Sequence, residues 1–142
     1  MTQSIEVLAV PENIPQLIAF SDSVEHSLPL SLEQCYLMRL AIEEIGTNII
    51  KYSYAHERPG PIQVACACQD DQLRVIIRDR GRPFDPHDAP PPDLSSDLAS
   101  RTVGGLGVFL VRELADDLTY RHDPASGWNE LVIMKASEST DV

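Results

Sequence analysis

Basic charge, cysteine and long apolar runs are all in short supply in this chain, and each shortage closes off a class of function. Eleven Lys and Arg residues stand against 22 Asp and Glu, a formal net charge of −11. A surface of that sign repels phosphate backbones, which argues against nonspecific nucleic-acid binding and would suit a basic protein partner. No apolar stretch approaches the roughly 18 residues that cross a bilayer. The N-terminal "MTQSIEVLAVPENIP" has no basic segment ahead of its apolar residues and no small-residue cleavage site. Secretion is therefore not signalled, and a cytoplasmic protein is expected. The three cysteines, Cys35, Cys66 and Cys68, have no second pair or histidine cluster to complete a zinc set, which leaves reduced core thiols as the favoured reading. What is present is ordinary for a soluble globular domain: 43% hydrophobic and 23% charged residues in a length of 142, enough to bury roughly two-thirds of the unfolded surface.

Proline and turn residues divide the chain. "SIEVLAV" (4–10) predicts a first strand, which Pro11 ends. "ENIPQLIAFSDSVEHSL" spaces Ile14, Leu17, Ile18, Val24 and Leu28 as an amphipathic helix does, with Asn13 at the cap, Pro15 in the first turn and Pro29 as the stop. "SLEQ" (31–34) has the form of a capping box, Ser31 facing Gln34, and opens a long helix to about Tyr54. "PIQVACACQ" and "DQLRVIIRD" form a hairpin turning at Asp70 and Asp71. Residues 81–103 hold five of the eleven prolines, and a loop of that length in a small domain is functional or disordered. "GGLGVFLVRELADDL" starts a helix at glycines, with Leu106, Leu110, Val111 and Leu114 inward, and "TYRHD" with "WNELVIMK" closes a hairpin that turns at Pro124 to Gly127. The order β-α-α-β-β-loop-α-β-β is not a regular βαβ alternation. It predicts an α+β two-layer sandwich, a mixed and mostly antiparallel sheet covered on one face by helices. A single domain is expected over residues 1–137, with 138–142 a frayed tail.

Three features break the apolar logic of the elements that hold them. In the long helix, Glu44 and Asn48 lie one turn apart on the stripe that also carries Leu37, Ala41, Ile45 and Tyr52. An asparagine there supplies a neutral oxygen for Mg²⁺ and a glutamate can take a proton from a nearby hydroxyl, although a wet helix edge would look the same. Glu43 sits about 100° away around the helix and is read as a surface pair with Arg39. The second feature is Asp79, which continues the inward series Leu73, Val75 and Ile77. A carboxylate so placed wants a donor, such as the exocyclic amine of a base, or else caps the local turn, with Gly81 two residues on allowing close backbone approach. The third is Gly104, Gly105 and Gly107 at a helix start, either a phosphate cradle of backbone amides or plain loop punctuation. The spacing matches neither a Walker A loop nor the dinucleotide fingerprint.

Taken in order, these boxes are more specific than any one alone. "EEIGTNIIKYSY" (43–54), "DRGRPFDP" (79–86) and "GGLGVFLV" (104–111), with the closing "GWNELVIMK" (127–135), resemble the GHKL nucleotide-binding superfamily of gyrase, MutL and the histidine kinases, whose fold is of the Bergerat type. A chain this short is expected to lack the further domains of gyrase and MutL, and no two-helix hairpin with a phospho-accepting histidine precedes the site. His26 is read as a surface residue. The chain most resembles the bacterial anti-sigma factor family with serine-protein kinase activity, above all in "DRGRPFDP".

That resemblance implies ATP and Mg²⁺ as ligands and assigns roles by position. Asn48 would hold Mg²⁺ between phosphates, Glu44 would be the general base for a serine hydroxyl, and Lys51 would touch phosphate. Asp79 would bind the adenine amine, with Gly81 shaping that pocket. Gly104, Gly105 and Gly107 would offer amides to phosphate, residues 86–103 would form the lid, and Arg101 would approach the γ-phosphate or the partner. Tyr52 replaces a histidine common in that family. The partners so implied are a sigma factor and a STAS-type antagonist protein, with a homodimer also common among relatives. A different class remains, a nucleotide-gated module that sequesters a partner without transferring phosphate. Such a module needs Asn48, Asp79 and the glycines but no base, so the presence of Glu44 favours the kinase.

Overall fold

The computed structural model describes residues 2–88 and 105–138. Its elements are β1 (Thr2–Leu8), α1 (Ile14–Ser27), α2 (Leu32–Asn48), β2 (Pro61–Gln69), β3 (Gln72–Asp79), α3 (Gly105–Leu114), β4 (Asp117–His122) and β5 (Asn129–Ala136), with 3-10 turns at Pro11–Asn13 and Pro86–Asp88. The strands form one five-stranded sheet in the order β1-β2-β3-β5-β4, and all four pairings are antiparallel. The helices cover one face, so the two-layer α+β sandwich expected from the sequence is present, with a wholly antiparallel sheet among the described strands. No helix among the described residues is long and apolar enough to cross a membrane.

Period-two alternation sorts the sheet into two faces. Ile62, Val64, Cys66, Leu73, Val75, Ile77, Leu131 and Ile133 point inward and are buried, and they pack with Leu17, Val24, Leu37, Met38, Ala41 and Ile42 of the helices. The opposite face is mixed, with Ile76, Val132 and Met134 among its polar residues. In one row across all five strands, Gln63 donates to Glu6 (2.7 Å) and Arg78 donates to Gln63 (3.2 Å), while Glu130 faces Arg78 (3.6 Å) and Arg121 (3.1 Å). The Arg78 guanidinium also lies over the Trp128 ring at 4.7 Å. Such pairs suit a solvated sheet face and limit unwanted edge contacts.

Local signals set the junctions. The Asp70–Asp71 turn joins β2 to β3 with only two residues, both at positive φ (52° and 63°), the backbone of the tightest hairpins. The capping box of α2 is complete: Ser31 Oγ accepts from Gln34 N (3.2 Å), and Gln34 Oε1 accepts from Ser31 N (2.9 Å). The other end of the Gln34 amide donates to the carbonyls of Asp71 (2.9 Å) and Lys135 (2.8 Å), fastening the start of α2 to the sheet.

Four local expectations are corrected. The first strand spans Thr2–Leu8 rather than 4–10, because Ala9 and Val10 already turn towards the Pro11–Asn13 helical turn. Asn13 precedes α1 without capping it by its side chain, for its amide instead donates to the Leu8 carbonyl at 2.8 Å. Arg39 pairs not with Glu43 but across the helix pair with Asp22 (2.6 Å) and Glu25 (3.0 Å). In α3 Val111 is buried and Leu114 packs half-buried on the core as expected, but Val108 is buried in place of Leu106, which is 42% exposed, with Gly107 facing α2.

Candidate functional site

The long helix stays helical to Ser53 but changes pitch. After Asn48 it widens into a π turn at Ile49–Ser53, a distortion often found at functional sites. Ile49 and Ile50 of this wider turn are both buried, whereas Tyr52, expected on the inward stripe, is 56% exposed. Asn48 is thus the last α-helical residue, half-buried, and Lys51 is exposed within the wide turn. His26 is an exposed residue of α1, as expected, its Nδ1 against the Asp22 carbonyl.

The end of this wide turn abuts the segment after β3. Arg82 N donates to the Ser53 carbonyl at 2.7 Å, and Arg80 N donates to Tyr54 Oη at 2.6 Å. The approach leaves no room for a side chain at residue 81, where a β-carbon would collide with the Ser53 carbonyl. Glycine is therefore required at that position by contact with a neighbouring backbone. More than two turns earlier, Glu44 meets the first turn of α3: a β-carbon on Gly107 would collide with the Glu44 carboxyl group. The helix bearing Glu44 and Asn48 consequently meets Gly107 at Glu44, and the wide turn at its C-terminal end meets Gly81. Gly105 is the first residue of α3. Gly104, Arg101 and residues 89–103 of the expected lid lie outside the described residues, where only the 3-10 turn Pro86–Asp88 of that lid falls within them.

Asp79 ends β3 on the inward face, as the alternation requires, and is 7% exposed. Its Oδ2 accepts from Gly81 N (2.9 Å) and from Asn129 Nδ2 (3.3 Å). No hydrogen bond reaches Oδ1 among the described residues, so one oxygen is doubly held and the other is open. Burial pushes the Asp79 carboxyl above its ordinary pKa, and the Gly81 amide, the Asn129 amide and the charge of His122 only partly oppose it. Burial likewise raises the phenols of Tyr54 and Tyr120, which keeps both as neutral donors at physiological pH.

Sequence reading overlooked Asn129, Tyr120 and His122. Asn129 is 2% exposed and stands opposite Asp79 in the β3–β5 register. A signal was available: an asparagine, rare inside strands, shares the inward parity of Leu131 and Ile133.

Residues 7–135 match the family model of the histidine kinase-like ATPase domain. The chain belongs to that family. Among curated members with similar sequence, the serine-protein kinase RsbW of Listeria monocytogenes serovar 1/2a is 32% identical over 90 residues, 61% of this chain and 57% of that protein. RsbW of Bacillus cereus strain AH187 is likewise 32% identical over 90 residues, 61% of this chain and 56% of its own length. The chain thus matches little more than half the length of these relatives. Among solved structures, the RsbU and RsbW domains of Rv1364c from Mycobacterium tuberculosis cover 99% of this chain and 35% of theirs, with a TM-score of 0.65 and 17% identity. The histidine kinase domain of the Erythrobacter litoralis EL346 blue-light activated kinase gives a TM-score of 0.53 at 15% identity, over 87% of this chain and 60% of that one. At those identities the two structures establish the shared fold of the ATPase domain. In this chain Glu44 meets Gly107, and the wide turn that follows Asn48 meets Gly81, two residues past Asp79.

Proposed function

We propose that this ATPase domain, spanning residues 1–137, is an ATP-dependent serine-protein kinase of the anti-sigma type. It would bind a sigma factor and phosphorylate a STAS-type antagonist in the cytoplasm. The observation that carries the reading is Asp79, a buried carboxylate with one oxygen fixed by two donors and the other open to a base. A buried acceptor left open in this way fits the exocyclic amine of adenine. Support for the kinase branch comes from the serine-protein kinase relatives and from Glu44, which a binding-only module would not need.

In this reading the first turn of α3, at Gly105 and Gly107, gives its free amides and positive dipole end to the phosphates. Gly104 and Arg101 extend that cradle, Lys51 adds a charge, and residues 86–103 close over it as the lid. Asn48 suits Mg²⁺, a hard ion usually held by one or two protein oxygens together with substrate phosphates; when bound it would neutralise phosphate charge in a protein of net charge −11. The serine Oγ of the antagonist attacks the γ-phosphorus as Glu44 takes its proton. The bond from that phosphorus to the bridging oxygen breaks, and ADP leaves with the electron pair. Exclusion of water by the lid favours serine over hydrolysis.

Thermal unfolding with and without Mg²⁺-ATP tests the nucleotide site. At 100 times the dissociation constant a ligand adds about 2.7 kcal/mol, so a rise of several degrees in Tm is expected. An unchanged Tm at millimolar ATP would remove the nucleotide reading. Glu44→Gln should show the same ligand-induced rise as the unaltered chain, because the base is not a binding group.

A further inference from the structure

A directed chain of hydrogen bonds runs behind the open carboxylate. The Phe84 amide donates to Tyr120 Oη (3.1 Å), Tyr120 Oη donates to Asn129 Oδ1 (3.1 Å), and His122 Nδ1 reaches the same oxygen at 2.6 Å. On its other side Asn129 Nδ2 donates to the Gly81 carbonyl (2.9 Å) and to Asp79 Oδ2 (3.3 Å). The orientation of the amide is fixed by chemistry, because a carbonyl and a carboxylate only accept and so must face the NH₂ group. It follows that Oδ1 must accept, and that His122 carries a proton on Nδ1. Both amide hydrogens and the amide oxygen of Asn129 are then committed, in a place 2% exposed to solvent.

We propose that Asn129, held by Tyr120 and His122, is the positioning residue that sets base specificity by keeping Asp79 an acceptor with Oδ1 turned towards the ligand. This rests on the nucleotide reading above and deepens it. With Oδ2 pinned by Gly81 N and Asn129 Nδ2, the carboxylate does not rotate to satisfy itself elsewhere. Its free oxygen rewards a purine carrying a 6-amino group and meets a 6-oxo purine acceptor against acceptor. Removal of Asn129 frees Asp79 to turn and leaves the Tyr120 hydroxyl and the His122 N–H without their partner. The register supplies the reason for this placement: Asn129 stands opposite Asp79 on one side and opposite His122 on the other. One residue of β5 therefore links the β3 carboxylate to the β4 edge.

The test compares dissociation constants for ATP and for inosine triphosphate, which differs in having a 6-oxo group, in the unaltered chain and in Asn129→Ala. The unaltered chain should prefer ATP. Asn129→Ala should lower ATP affinity by about tenfold and bring the ATP-to-inosine-triphosphate ratio towards one. A purely structural role would weaken both nucleotides alike and leave the ratio unchanged, and that result overturns the proposal. Should Asn129→Ala fail to fold, Tyr120→Phe and His122→Ala carry the same readout, since each withdraws one donor and leaves Asn129 in place. Unchanged ratios in both overturn it equally. An unaltered chain that binds neither nucleotide refutes the site reading itself, and this inference with it. Binding with preserved discrimination in the variants refutes the inference alone.

Discussion

At Asp79, burial and recognition pull against each other. The carboxylate is less favourable inside the fold than in water, which is why its pKa is raised, yet its charge is what a base amine would seek. The raised value means that the folded chain holds the proton more tightly than the unfolded one. Stability attributable to this group therefore falls as pH rises through the unfolded and then the folded pKa. Asp79→Asn removes this dependence. The variant should melt at or above the temperature of the unaltered chain at pH 7, with the difference shrinking on acidification through the carboxylate range. The same substitution should abolish ATP binding: its oxygen stays with the Gly81 and Asn129 donors, so its NH₂ group faces the donor amine of adenine. Parallel melting curves and ATP titrations at pH 7 and pH 4.5 check both halves. A variant that binds ATP normally would contradict the assignment of Asp79. Cys66 is a simpler case of the same physics, since burial pushes its thiol up to about 12. Native alkylation at pH 8 should leave it unmodified while denatured chain reacts, in keeping with a reduced core thiol.

At the element scale, what could be read from the sequence was what local chemistry decides. The Ser31–Gln34 box, the inward parity of Leu73 to Asp79 and the two-residue turn at Asp70–Asp71 each depend on residues within a few positions of one another. The widening after Asn48, the phase of α3 and the Asn129 network depend on partners brought from far along the chain. Leu106 faces solvent because Gly107 has to pass Glu44, a contact that helical periodicity alone does not encode. The hairpin offers a test of the local physics. Asp70 and Asp71 both occupy the left-handed region, which costs side-chain-bearing residues free energy that glycine avoids. Asp71→Gly should stabilise the chain by up to about 1 kcal/mol, visible as a Tm rise of a few degrees. The bonds that Asp71 makes to Ser137 and Gln34 use its carbonyl, so the substitution keeps them. A lower Tm would show that the turn is held by the aspartate side chain instead.

At the scale of the whole molecule, the proposed site draws on residues from four separate places in the chain. Glu44 and Asn48 come from α2, Asp79 and Gly81 from the end of β3, Gly107 from α3 and Asn129 from β5. The sequence motifs announced the first three in order, and the antiparallel sheet explains why they converge: β3 is central, and its C-terminal end meets the wide turn that follows α2. The fourth was signalled only by the inward parity of Asn129, because its significance lies in cross-strand register. The central claim is chemical, that the proposed site transfers phosphate and does not merely hold a nucleotide. The most direct measurement follows labelled γ-phosphate from Mg²⁺-ATP to the serine of a STAS-type antagonist, with the unaltered chain and with Glu44→Gln. The account predicts transfer by the unaltered chain and a loss of about 10²- to 10⁴-fold in the variant, the usual span for a general base, with ATP binding retained. Transfer at equal rates would contradict it.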